Sequence, residues 1–186
     1  MRDIQQENLI FIDETGINLS LARTYARSHE GMRAYSKRPY VRGQNISLIG
    51  AIALKGFIGA MTVEGGTNGD VFRVFIEQIL LPELWPGAVV VMDNLSAHKV
   101  MGIQETIEAV GAKVVYLSPY SPDFNPIENC WSKLKQYLRF VAARSRDDLE
   151  IAINKGLELI SLKDLRNWFA HCCYCDNNYE TSIVTN

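Results

Sequence analysis

Three acidic side chains stand where the sequence pattern can bring carboxylates together. Asp13 follows the apolar run Leu9-Ile10-Phe11-Ile12, Asp93 closes the run Ala88-Val89-Val90-Val91-Met92, and Glu128 comes just after Asn125-Pro126. The 34 residues 94–127 separate the second acid from the third. A single Asp after a buried strand is commonly only a turn or helix-capping residue. Two on similar strands, joined by an acid on a Pro-opened helix, point to chemistry. Carboxylates gathered within a few ångströms repel one another, and each raises the pKa of the others. A bound cation relieves that repulsion. Hard oxygen donors with no paired His or nearby Cys favour Mg²⁺ or Mn²⁺ over zinc. Two such ions, about 3.5–4 Å apart, activate an attacking oxygen and stabilise a leaving oxygen in phosphoryl transfer.

The elements that must position these acids are legible in outline. Residues 8–13 read as a short strand, apolar on both faces and so buried in a covered sheet. Strict alternation points Glu14 away from Asp13, which argues against Glu14 as a ligand. The runs NISLIGAIAL and FIGAMTVEG, parted by Lys55-Gly56, suggest an antiparallel hairpin. A helix over 70–84 is expected to stop near Pro82. The strand into Asp93 follows, and then a helix over 99–111 with Val100, Ile103, Ile107 and Val110 on its buried face and Gly111 as its stop. The strand KVVYL runs into SPYSPDFNP. Asn125 then reads as a helix N-cap with Pro126 at the first helical position, and Ile127, Trp131, Leu134 and Leu138 as the buried stripe. Ser145 with Asp148, and Ser161 with Asp164, read as capping boxes opening two further helices.

This order fits an α/β fold: a mixed five-stranded sheet with helices on both faces. If the first and fourth strands are parallel neighbours, Asp13 and Asp93 finish at one edge of the sheet, where open α/β sheets place their sites. The expected domain covers residues 1–170, with 171–186 as a C-terminal tail. At 186 residues and 47% hydrophobic, the chain is long enough for one well-buried domain. No apolar run approaches the roughly 18 residues of a membrane span, and the polar N-terminus has no signal-peptide core. A cytoplasmic location is the expectation. The cysteines, Cys130, Cys172, Cys173 and Cys175, do not make a secreted disulfide framework. His171, Cys172, Cys173 and Cys175 crowd too closely for ordinary zinc spacing, and a helix end is the expected reading of that cluster. A net charge of −2 gives no global sign of a nucleic-acid partner, so one must be argued locally.

The stretches FIDETGI, VVMDNLSAHK and YSPDFNPIENCWSKLK, with the 34-residue gap before Glu128, resemble the aspartate-aspartate-glutamate motifs of mariner-type transposases, and among them the bacterial insertion-sequence branch, family six-thirty. The resemblance covers roughly residues 8–170, and SPDFNPIE is its specific element. It implies a ribonuclease-H-like fold, with Asp13, Asp93 and Glu128 as catalytic and metal-binding residues. It also implies Mg²⁺ or Mn²⁺, as two ions, and cut-and-paste DNA strand cleavage and transfer at transposon ends, typically into a TA step. Such steps kink easily, which suits in-line attack on the backbone. The implied partners are transposon-end and target DNA and a second copy of the chain in a homodimeric active complex, in the cytoplasm beside the nucleoid.

With that resemblance, the basic, Tyr-rich stretch 23–42 becomes a candidate to follow a phosphate backbone and stack on bases, through Arg33, Lys37 and Arg38. Lys133, Lys135 and Arg139 would continue the track along the Glu128 helix. His98, four residues beyond Asn94, is a candidate contact to the scissile phosphate and equally a plain surface histidine. The chain departs from the family in one respect. Its first catalytic strand begins within ten residues of Met1, where such transposases carry helix-turn-helix modules. The expectation is therefore a catalytic half lacking its N-terminal DNA-reading half: a frame joined by frameshifting, or a truncated remnant. Two alternatives to a transposase catalytic domain stand beside it: a structure-specific nuclease on the same fold, and a non-catalytic fragment that binds DNA or pairs with a full-length transposase and inhibits transposition.

Overall fold

The computed structural model describes residues 4–23, 25–35, 43, 45–94, 101–118 and 121–175. Strands β1 (Leu9–Ile17), β2 (Ile46–Ala53) and β3 (Gly56–Glu64) form an antiparallel meander. Helix α1 (Gly69–Phe75) leads to β4 (Val89–Met92), and α2 (Ile103–Ala109) to β5 (Lys113–Tyr116). Helices α3 (Pro126–Val141), α4 (Arg146–Glu158) and α5 (Leu162–His171) complete the described chain. The sheet order is β3-β2-β1-β4-β5, with β4 parallel to both β1 and β5. This is the expected mixed five-stranded sheet, and it has the expected β1–β4 neighbourhood.

Two apolar layers cover it, and the alternation of β1 sorts residues between them. Leu9, Phe11 and Ile17 face the layer built by α3, α4 and α5, with Trp131, Leu134, Leu138, Ile153 and Phe169 at its centre. Ile10 and Ile12 face the other layer, with Phe72, Phe75, Ile76 and Leu80 from the α1 region and Ile103 and Ile107 from α2. Strand β4 divides the same way: Val89 and Val91 to the first layer, Val90 and Met92 to the second. A strand buried on both faces must be apolar at every position, which is why these runs show no polar alternation.

Several boundaries differ from expectation for identifiable reasons. Strand β1 continues to Ile17, four residues beyond Asp13, because β2 goes on pairing with it after β4 has stopped. The helix expected over 70–84 ends as α at Phe75 and continues as a π turn over Ile76–Leu80 and a 3-10 turn over Leu81–Glu83, with Pro82 unable to donate a helical hydrogen bond. Helix α2 starts only at Ile103, after Gly102 in the left-handed region (φ 94°). It closes at Ala109, so Val110 has left helical geometry and is exposed rather than on the buried stripe. Val100 lies outside the described residues.

The stripe expected on α3 is buried in full: Ile127, Trp131, Leu134 and Leu138. Asn125 occupies the N-cap position, but its side chain makes no capping bond, and its buried Oδ1 has no hydrogen-bond partner. Ser161 and Asp164 form the reciprocal capping box on α5. On α4, Ser145 accepts from the Asp148 backbone N–H at 3.1 Å while its hydroxyl donates to the Asp148 carboxylate at 2.6 Å.

Packing does not stop at residue 170. Cys172 is buried, and the Tyr174 ring lies 4.8 Å from that of Phe11. The Tyr174 hydroxyl donates to the Phe124 carbonyl at 2.8 Å. Residues 171–175 therefore belong to the folded body, and 176–186 lie outside the described residues. Among the described residues no helix is long and apolar enough to cross a membrane.

Candidate functional site

The acidic site follows from register and parity. Strands β1 and β4 pair as Leu9 with Val89, Ile10 with Val90 and Phe11 with Val91. Two more steps in that register put Asp13 level with Asp93 on neighbouring parallel strands, which run about 4.8 Å apart. Asp13 continues the odd-numbered series of β1 that faces α3, where it meets Trp131, and Asp93 comes directly after the last residue of β4. Helix α3 carries Glu128, exposed in its first turn. Asp93 and Glu128 both lie near enough to Asp13 for their charges to act on it.

Asp13 is the most enclosed of the three, at 7% exposure. Its carboxyl is pushed up to about 7, by burial first and then by the charge of Glu128, with Glu14 and Asp93 adding to the push and a backbone hydrogen bond at Glu14 opposing it. An acid that feels both Asp93 and Glu128 in this way shares an electrostatic site with them. Oxygen donors crowded by their own charge are the kind that suits a hard divalent cation. Among the described residues no three potential ligands already stand close enough to enclose an ion.

Sequence reading treated Trp131 as core alone and passed over Gly50. The structure gives both a place at the site. The Trp131 indole N–H donates to Asp13 Oδ2 at 3.1 Å in a buried hydrogen bond. Gly50 stands opposite Asp13 in the β1–β2 ladder, where an added Cβ would come within 2.6 Å of Trp131 Cη2. The available signal was a glycine inside an otherwise apolar strand, which often marks a close approach from another element.

The other candidates divide. Arg33 is exposed on the segment between β1 and β2, while Lys37, Arg38 and His98 lie outside the described residues. Lys133 has a structural partner that counts against the expected phosphate contact. Its Nζ is 2.6 Å from Asp164 Oδ2 and 3.0 Å from the Leu159 carbonyl, so it clamps α3 to the start of α5. Burial opposes the charge on Asp164, yet hydrogen bonds from Lys133 and Ser161 outweigh it and hold the carboxyl at about 2. Arg23 lies over the Phe140 ring at 4.4 Å and pins the start of the basic stretch to the end of α3. Burial pushes the Cys130 thiol up to about 12 and, with Cys173 and Asp123 adding, Cys172 up to about 11.

Residues 8–150 match the sequence model of a family described as DDE superfamily endonuclease. No curated protein matches the chain. Among solved structures, the chain superposes on the transposase of a pre-cleavage Mos1 transpososome with TM-score 0.71 at 15% identity, over 94% of this chain and 56% of that one. A mariner Mos1 paired-end complex with Mg gives 0.68 at 17% identity, over 94% and 56%. The isolated catalytic domain of Mos1 mariner transposase gives 0.62 at 13% identity, over 93% and 83%. The chain thus spans a little over half the transposase chain of the full complexes and most of the isolated catalytic domain. The shared architecture is the ribonuclease-H-like fold.

Proposed function

Because the chain belongs to the DDE superfamily endonucleases, we propose that it is a transposase catalytic domain that cuts and joins DNA strands with divalent metal at Asp13, Asp93 and Glu128. The observation that carries this reading is the placement of the acids. Asp13 and Asp93 each come two residues after the last β1–β4 pair, Phe11 with Val91, and the charges of Asp93 and Glu128 both act on Asp13. When bound, Mg²⁺ or Mn²⁺, as a pair of ions, would activate the attacking oxygen and neutralise charge on the phosphate under attack.

The protein's own residues supply the rest. Asp13 and Asp93 are fixed by the sheet and give a rigid base to the site. Glu128, on the exposed first turn of α3, closes it from the other side. Arg33, with Lys37 and Arg38, makes sequence-independent contacts to the DNA backbone, which position DNA without reading it. His98, beyond Asp93, contacts the scissile phosphate. The Mos1 complexes pair transposon ends, and by that likeness two copies of this chain would join two ends before inserting them at a TA step, in a soluble cytoplasmic complex on the nucleoid.

The test is strand cleavage and strand transfer on a duplex carrying the element's end, with Mg²⁺ or Mn²⁺. Both reactions are expected to need the metal and to fall to background in Asp13→Asn, Asp93→Asn and Glu128→Gln. Undiminished cleavage in any of the three would remove that residue from the catalytic set.

A further inference from the structure

The buried contact between Trp131 and Asp13 joins the two halves of the acidic site. Asp13 sits on β1, and Glu128 sits on α3 three residues before Trp131. Residues three apart lie on adjacent turns of one helix face, so where the indole goes, Glu128 follows. Trp131 is 1% exposed and its N–H donates to Asp13 Oδ2 at 3.1 Å. An indole N–H is a donor only, with no charge to titrate and no second role as an acceptor. The ring reaches the carboxylate across Gly50, the β2 residue paired with Asp13, and Phe57 also comes within 3.2 Å of the place a Cβ would take there. The slot exists because that one position of β2 has no side chain.

We infer that Trp131 is a positioning residue of the acidic site: it holds the Asp13 carboxylate through Oδ2 in a fixed orientation towards metal, and sets the distance of Glu128 from the strand edge. The inference rests on the metal reading of Asp13, Asp93 and Glu128. The Glu14 backbone N–H also bonds this carboxyl, so together with the indole it sets the direction the carboxylate faces before any ion arrives. Groups that orient metal ligands in this way typically govern affinity by about 10–100-fold. A tryptophan serving only as core filler would leave metal affinity untouched once its volume was replaced.

Two measurements on the full chain test this. Calorimetric titration with Mn²⁺ compares the wild type, Trp131→Phe and Trp168→Phe. Trp131→Phe keeps an aromatic ring and loses the donor, and its Kd is expected to weaken by about tenfold or more, while Trp168→Phe binds as wild type does. The second measurement does not depend on the folding of Trp131→Phe. The indole ¹H–¹⁵N resonance of Trp131, assigned with Trp85→Phe and Trp168→Phe, is followed during Mg²⁺ titration of the otherwise native chain. It is expected to shift with added Mg²⁺ and to stop responding in Asp13→Asn. Equal Mn²⁺ affinity in wild type and folded Trp131→Phe, or a Trp131 resonance that stays still while the protein saturates with Mg²⁺, overturns the inference and leaves the metal site standing. Absence of metal binding by the wild type overturns both.

Discussion

The two faces of strand β1 are built from the same apolar run and end differently. On one face Ile10 and Ile12 pass into a layer of Phe72, Phe75, Ile76 and Leu80, apolar throughout. On the other, Leu9 and Phe11 lead to Asp13, a carboxylate at 7% exposure with a tryptophan as its hydrogen-bond donor. The first face stabilises the sheet and asks nothing more. The second places an acid where ionisation is costly, and gives up stability to keep it there. Sites of this kind break the local rule that buried positions are apolar, and they stand out because the rest of the strand obeys it.

The sharpest way to break the comparison is to remove the charge on the acidic face alone. The folded Asp13 carboxyl is raised from 3.8 to about 7, chiefly by burial and Glu128. The folded state therefore holds a proton that the unfolded chain has released, and wild-type stability falls as pH rises through that window and levels off above it. Asp13→Asn keeps an acceptor for Trp131 and removes the titration. Denaturant unfolding should find the variant more stable than wild type by up to about 4 kcal/mol at pH 8, with the difference fading towards pH 4. A constant difference across that range would mean that Asp13 is not the group strained by ionisation.

Two glycines sharpen the contrast at smaller scale. Gly50 lies under Trp131 on the acidic face, and Gly59 lies under Ile79 on the apolar face. An added Cβ would meet a neighbour at 2.6 Å in both cases. The neighbours differ in compliance. The indole is rigid, tied to Asp13 and accompanied by Phe57 at 3.2 Å, whereas the Ile79 methyl is, among the described residues, the single neighbour within 4 Å of the Gly59 position. Gly50→Ala should cost about 1–3 kcal/mol and disturb the Trp131 contact. Gly59→Ala should cost less, about 1 kcal/mol. Equal losses in thermal unfolding would show that the Trp131 slot is no tighter than ordinary core.

Much of this contrast was legible in the sequence. Strand parity needs only the order of residues, so the sorting of Leu9 and Phe11 to one layer and Ile10 and Ile12 to the other follows from alternation. The stripe on α3 was equally plain, because Ile127, Trp131, Leu134 and Leu138 repeat at helical spacing. What escaped were contacts between elements distant in sequence. Trp131 bonds a residue 118 positions away, and a Trp on an apolar stripe carries no mark of what its N–H will meet. The ion pair of Lys133 was hidden for the same reason: its partner Asp164 belongs to another helix. The π turn within the 70–84 helix packs against β3, a contact that periodicity does not record.

The most direct test of the account is the thermal response to divalent metal. Mg²⁺ or Mn²⁺ binding only the folded state should raise Tm with concentration by mass action. The account predicts a clear rise for wild type that is largely lost in each of Asp13→Asn, Asp93→Asn and Glu128→Gln, although all three fold. An equal rise in wild type and all three variants would place the metal elsewhere and contradict a site built from these carboxylates.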